Sequence, residues 1–176
     1  MAADAQALPF GNSCFDAVVC QHGLQFLPDP AVGLKEMRRV LRSGYYAAVC
    51  VISTPDRANV WGALAGALSR QLPAQRDTLH LSFSLANPER LKELLLGAGF
   101  SDVAVEPQQH QDTLESFTAY WQTVENGVGM LPQAYRALPP ANQREVRNEV
   151  HAQLAKYVSD GQLELSLETL IGAGRA

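Results

Sequence analysis

The polar residues best placed to do chemistry follow one short hydrophobic run. Gln21, His22 and Gln25 come just after the apolar segment that ends at Cys20. Imidazole titrates near neutrality, so His22 is a candidate catalytic general base. It can equally line a pocket without moving a proton. Gln21, His22 and Gln25 together suit the orientation of a bound substrate through hydrogen bonds. His80, His110 and His151 belong to no such constellation and read as surface positions. Cys14, Cys20 and Cys50 share no metal-type spacing, and no metal site is expected. Cys20 and Cys50 lie in apolar runs and read as buried, reduced thiols. Asp4, considered alone, suits a turn.

Particular elements must position these groups. Phe15–Cys20 (FDAVVC) is nearly continuous in apolar residues and reads as a strand buried on both faces. Asp29-Pro30 opens a helix, with Asp29 as cap and Pro30 at the first helical position. Val32, Leu34, Met37, Val40 and Leu41 form its apolar face. Lys35, Glu36, Arg38, Arg39 and Arg42 take the other face, which reads as solvated. Gly44 marks the expected stop. Tyr45–Ile52 is a second buried strand, so strand, helix and strand make a βαβ unit with parallel pairing. Ligands of such sheets bind beyond the carboxyl ends of the strands, where Cys20 to Leu24 fall.

Further along, Val60–Leu72 reads as a helix weakened by Gly62 and Gly66. A capped helix starts at Asn87-Pro88 and ends at Gly97 and Gly99. Ser101–Glu106 alternates as a third strand. Helical patterns run over Leu114–Glu125 and Pro140–Tyr157, and Gln162–Ala173 reads as a fourth strand. Trp61, Tyr120 and Trp121 read as packing residues.

Bulk properties narrow the function classes. The chain has 176 residues, 47% hydrophobic and 18% charged, with net charge −4. Its pI is near 5.5 and its basic residues are scattered. These values argue against a nucleic-acid surface or a polybasic membrane patch. The N-terminus lacks the basic-then-apolar pattern of a signal peptide, and a cytoplasmic protein is expected.

Asp4-Ala5-Gln6-Ala7-Leu8-Pro9-Phe10, followed by Ser13-x-Phe15-Asp16, resembles a motif of class I S-adenosylmethionine-dependent methyltransferases. The likeness is to the group that includes ubiquinone and menaquinone biosynthesis enzymes. Gln25-Phe26-Leu27-Pro28-Asp29-Pro30, Glu36 to Arg42 and Gly97-Ala98-Gly99-Phe100 also resemble that family, in order and at the right spacing. The resemblance implies S-adenosylmethionine as cofactor. It implies that Asp4 accepts from the adenine amine, Ala5 offers its amide to a ring nitrogen, and Leu8 packs on the base. Cys20 or Gln21 would offer a carbonyl to the methionine ammonium. A small-molecule methyl acceptor would meet His22 and Gln25.

The implied fold is α/β, the C-terminal part of a Rossmann-like class I methyltransferase fold. That means a mostly parallel sheet with one antiparallel strand, helices on both faces and a helical cap insertion. Residues 1–176 would form one partial domain, with the cap at 114–157. The family's strand and glycine-rich turn for the cofactor lie upstream of the acidic motif, and only three residues precede Asp4. The expectation is therefore an N-terminally truncated chain that does not complete the cofactor site alone. Phe15–Cys20 would become an apolar sheet edge, open to a homodimer partner or a complementing chain. The competing expectation is a non-catalytic remnant, a protein-interaction module using that edge. A nicotinamide-dependent oxidoreductase shares the βαβ logic but gives no reason for the Asp4–Phe10 motif.

Overall fold

A computed structural model describes residues 2–176. The first helix begins as its cap requires. The Asp29 carboxylate accepts from the Ala31 and Val32 amides at 2.9 and 3.3 Å, and α1 spans Pro30–Val40. Before it lies β1 (Phe15–Gln21) and after it β2 (Leu41–Ile52). The two strands are parallel, with Val19 opposite Ala48 and Gln21 opposite Cys50. The βαβ reading holds.

Gly44 does not stop the helix. Leu41 is already extended and buried, so α1 ends at Val40. Gly44 instead lies where the β1–β2 register shifts, with φ +85°. Its amide donates to the Ala176 carbonyl at 2.8 Å.

The chain divides into two compact units. The first holds the described residues up to Ser53, with Ser82–Gln108 and Glu168–Ala176. It contains β1, α1, β2 and α4 (Pro88–Gly97). The strands β3 (Ser101–Leu114) and β5 (Gln162–Arg175) each begin or end in it. The sheet order is β1-β2-β5-β3, with the two-residue β4 (Val158–Ser159) paired to β5. β1 and β2 are parallel, and β5 runs against both β2 and β4.

Within this unit helices pack one face of the sheet. Leu34 and Met37 of α1 share one cluster with Leu91, Leu94 and Leu95 of α4. Ala47, Val49, Val51 and Leu170 meet them from the sheet, and Val18 and Cys20 join from β1. Side chains alternate along a strand, so Val19, Tyr46 and Ile171 point the other way. They are 71%, 54% and 40% exposed. Phe15–Cys20 is therefore not buried on both faces; it is an edge strand covered on one. α4 approaches the sheet closely because β5 carries glycine beneath it. A Cβ on Gly172 would stand 2.9 Å from Leu95 Cδ1 and 3.1 Å from Val49 Cγ2.

The second unit comprises Thr54–Leu81 and Gln109–Leu167. It holds α2 (Asn59–Gln71), the short α3 (Arg76–Leu79), α5 (Phe117–Asn126), α6 (Met130–Arg136) and α7 (Pro140–Leu154). In this unit α2 packs against α6 and α7. Asn142 donates to Gln71 at 2.6 Å, Gln71 donates to Glu145 at 2.9 Å, and Arg70 pairs with Glu149. Tyr120 and Trp121 are core residues, as expected. Trp121 meets Tyr135 edge-on at 5.1 Å, and Tyr120 donates to the Val60 carbonyl at 2.7 Å. Gly62 is required in α2 because a Cβ there would collide with the Pro55 carbonyl.

Two glycine substitutions should separate close packing from chain entropy. Gly172→Ala should destabilise by about 1–3 kcal/mol in urea unfolding, through overpacking against Leu95. Gly97→Ala meets nothing within 4 Å, and it should be neutral or stabilising by up to about 1 kcal/mol.

Candidate functional site

The Asp4–Asn12 loop precedes β1 and has no regular secondary structure of its own. Helix α1 holds it in place. Arg39 forms two bonds to Glu36, Nε to Oε1 at 2.6 Å and Nη2 to Oε2 at 2.8 Å. The same guanidinium donates to the Leu8 carbonyl at 2.9 Å, the Phe10 carbonyl at 2.8 Å and Asn12 Oδ1 at 2.9 Å. Glu36 Oε2 in turn accepts from the Leu8 amide at 2.8 Å. Both polar groups of Leu8 are thus gripped by one ion pair. The planar fork of arginine makes this many-sided contact possible. Charge favours it too. The Arg39 guanidinium holds the Glu36 carboxyl below its usual range, and Glu36 raises the arginine.

Other bonds lay the loop along the helix. Gln6 Oε1 accepts from the Asp29 amide at 2.8 Å, which ties the loop to the cap of α1. Arg42 donates to the Ser13 carbonyl at 3.3 Å and pairs with Asp16 at 2.5 Å. Arg38 donates to the Gly99 carbonyl at 3.2 Å. The polar face of α1, read as merely solvated, is thus a set of fasteners. Asp4 is exposed, with Oδ1 accepting from the Gln6 amide at 2.8 Å. Ala5 and Leu8 are half-buried.

A second group stands at the carboxyl end of β1. Cys20 is half-buried and Gln21 exposed. His22 extends the ladder, its amide donating to the Cys50 carbonyl at 2.8 Å. It then turns the chain with φ +51°, a conformation that costs a non-glycine residue energy. Among the described residues Nδ1 of His22 is buried without a partner, and burial pulls the imidazole below its usual value. Gln25 follows in a 3-10 turn and is only 1% exposed. Neither its Oε1 nor its Nε2 finds a partner among the described residues. An unpaired buried amide costs about 1–3 kcal/mol per group. The turn itself is held by Ser84, whose hydroxyl donates to the Gln25 carbonyl at 3.0 Å.

The structure thus brings His22 to the tips of β1 and β2 and holds Leu8 on the flank of α1, with Asp4 and Ala5 just before it in the same loop. The Gln6–Asp29 bond connects that loop to the segment just beyond Gln25. Among the described residues, no hydrogen bond joins Asp4 directly to Cys20, Gln21, His22 or Gln25. Glu36, Arg39 and Ser84 escaped sequence reasoning. The three-residue spacing of Glu36 and Arg39 signals a helical ion pair, but nothing in it shows that the pair grips backbone thirty residues away.

A profile of the Methyltransferase domain family matches residues 1–49. The demethylmenaquinone methyltransferase of Mycobacterium tuberculosis is 32% identical over 138 residues, 77% of this chain and 56% of the relative. The demethylmenaquinone methyltransferase of Mycolicibacterium vanbaalenii is 42% identical over 79 residues, 45% of this chain and 35% of the relative. This chain is related to class I S-adenosylmethionine-dependent methyltransferases. It spans about half the length of the curated relatives that it matches. Its Rossmann-like methyltransferase fold is shared with Haemonchus contortus phosphoethanolamine N-methyltransferase 2, solved with S-adenosyl-L-methionine. That likeness has a TM-score of 0.50 at 14% identity, covering 98% of this chain and 36% of that one. No helix among the described residues of this methyltransferase homologue is long and apolar enough to cross a membrane.

Two measurements check this site. Arg39→Ala should speed hydrogen exchange at the Leu8 amide by about tenfold or more, corresponding to about 1–2 kcal/mol. Arg39→Lys should restore little of it, because an ammonium cannot serve both Glu36 and the loop carbonyls. The depressed carboxyl of Glu36 sets the pH sense. The clamp should persist through the ordinary glutamate range and release only as pH falls through the lowered value. The imidazole of His22 should titrate below 6.5 by NMR. Its burial in neutral form should make stability fall as pH drops below the ordinary histidine value.

Proposed function

We propose that this chain takes part in S-adenosylmethionine-dependent methyl transfer to a small molecule, with the clamped Asp4–Leu8 loop as the adenine-side wall. The observation that carries this reading is the grip of Arg39 and Glu36 on Leu8. A loop held on both sides of one residue is preorganised for a planar ligand, so little entropy is lost on binding. In this reading Asp4 accepts from the adenine amine, the Ala5 amide faces a ring nitrogen, and Leu8 covers the base. Cys20 or Gln21 offers a carbonyl to the methionine ammonium. The strands β1, β2, β5 and β3 correspond to the fourth, fifth, seventh and sixth strands of the family fold.

The cofactor supplies an activated methyl group, so the protein's main task is to hold the acceptor in line. His22 and Gln25 are suited to that. Gln25 has a buried amide able to donate and accept, and an imidazole kept neutral by burial can accept a proton from an acidic acceptor group.

A second reading keeps the fold without the chemistry. The exposed Val19 on an edge strand favours pairing of β1 with a second copy of this chain or with a complementing one. Sedimentation across rising concentration tests it. Association that Val19→Lys abolishes supports edge pairing, and a monomer at every concentration argues against it.

Calorimetric titration with S-adenosylmethionine tests the leading reading. Saturable binding is expected with Kd of about 1 mM or tighter, and Asp4→Ala should weaken it about tenfold, or about 1.4 kcal/mol. The reading fails if no heat saturates, or if the Asp4 variant binds equally well.

A further inference from the structure

The helical unit contains two adjoining hollows. One, of about 420 Å³, is lined by Asp56 and Asn59 at the start of α2 and by Gln153, Lys156 and Tyr157 at the end of α7. The other, of about 330 Å³, is lined by Gln109, Gln111, Ser159 and Glu164 among others. Asn59, Lys156 and Tyr157 wall both. The hollows are therefore lobes of one groove, of the size that small-molecule sites have.

The groove is built, not incidental. Asn59, at the junction of the lobes, is only 7% exposed, and its Oδ1 accepts from the Ser166 amide at 2.9 Å. Ser166 also donates through its hydroxyl to the Arg57 carbonyl at 3.2 Å. These bonds fix the start of α2 against β5. Lys156 lies over the Tyr157 ring, 4.9 Å from its centre, so its ammonium rests on the wall.

The lining selects a ligand chemistry. Asp56 and Glu164 set two carboxylates against the single ammonium of Lys156, which disfavours an anion. Gln109 and Gln111 add amides that donate and accept at once, while Asn59 Oδ1 holds the Ser166 amide and Gln153 Nε2 donates to Glu149. A hydrocarbon chain seated here would strip water from those groups at about 1–3 kcal/mol each. Hydroxyl groups, which both donate and accept, would satisfy them.

We infer that this groove binds an uncharged, hydroxyl-rich molecule of monosaccharide size. The inference stands on the groove's own lining and goes beyond the methyltransferase reading.

The test is an NMR titration of the full chain, ¹⁵N-labelled, with methyl α-D-glucopyranoside, without cofactor. Saturable shifts are expected at Asn59, Gln111 and Tyr157, with Kd of about 1–10 mM. Gln111 is exposed and its replacement should leave the fold intact. Gln111→Ala should weaken binding about fivefold, with the remaining spectrum unchanged. The inference is overturned if no shift saturates, if the shifts fall outside the groove, if the Gln111 variant binds equally, or if 1-octanol or acetate binds there more tightly. Because no cofactor is present, glucoside binding without S-adenosylmethionine binding would sink only the methyltransferase reading. The reverse result would sink only the groove.

Discussion

The ion pair of Arg39 and Glu36 is the constraint on which the candidate site depends. The Asp4–Asn12 loop has neither helix nor strand to hold it, and its backbone groups need partners. Arg39 and Glu36 supply them from consecutive turns of α1, and α1 exists because Asp29 and Pro30 start it where they do. The chain of cause is short. A cap sets the helix, the helix aligns Glu36 with Arg39, and the pair holds Leu8 by both its amide and its carbonyl. Because the pair is only partly solvated, its bonds are stronger than those of a fully exposed ion pair.

The sheet sets the other boundary of the site. β1 and β2 run side by side and end together, so His22 and Gln25 gather beyond their carboxyl tips, where open α/β sheets place ligands. β1 is the terminal strand, and the sheet face bearing Val19, Tyr46 and Ile171 carries no helix of its own unit. The same geometry that opens a ligand-binding end also leaves an apolar surface. That surface is why a binding role for the strand edge stands beside the methyltransferase reading.

Much of this was legible from residue order. The Asp29-Pro30 and Asn87-Pro88 caps start helices where expected, and Phe15–Gln21 and Leu41–Ile52 pair in parallel. The family likeness over Asp4–Ile52 agrees with the matched residues 1–49. What sequence could not show depends on long-range packing. An apolar strand looks the same whether one face or both are covered, so Phe15–Cys20 read as buried. Alternation marks the third strand only over Ser101–Glu106, yet β3 continues to Leu114. Gly44 suited a helix stop by type, but its positive φ serves a bulge. Arg39 looked like a solvated charge because its acceptors are distant backbone carbonyls, which leave no trace in local pattern. The contribution of Thr54–Leu81 to the helical unit was hidden for the same reason.

The most direct test of the account is amide shift mapping with adenosine, the part of the cofactor that the clamped loop is held to receive. The account predicts saturable changes at Ala5 and Leu8, lost when Arg39 is replaced by alanine in a chain that remains folded. Changes confined to the helical unit, or equal responses with and without Arg39, would contradict it.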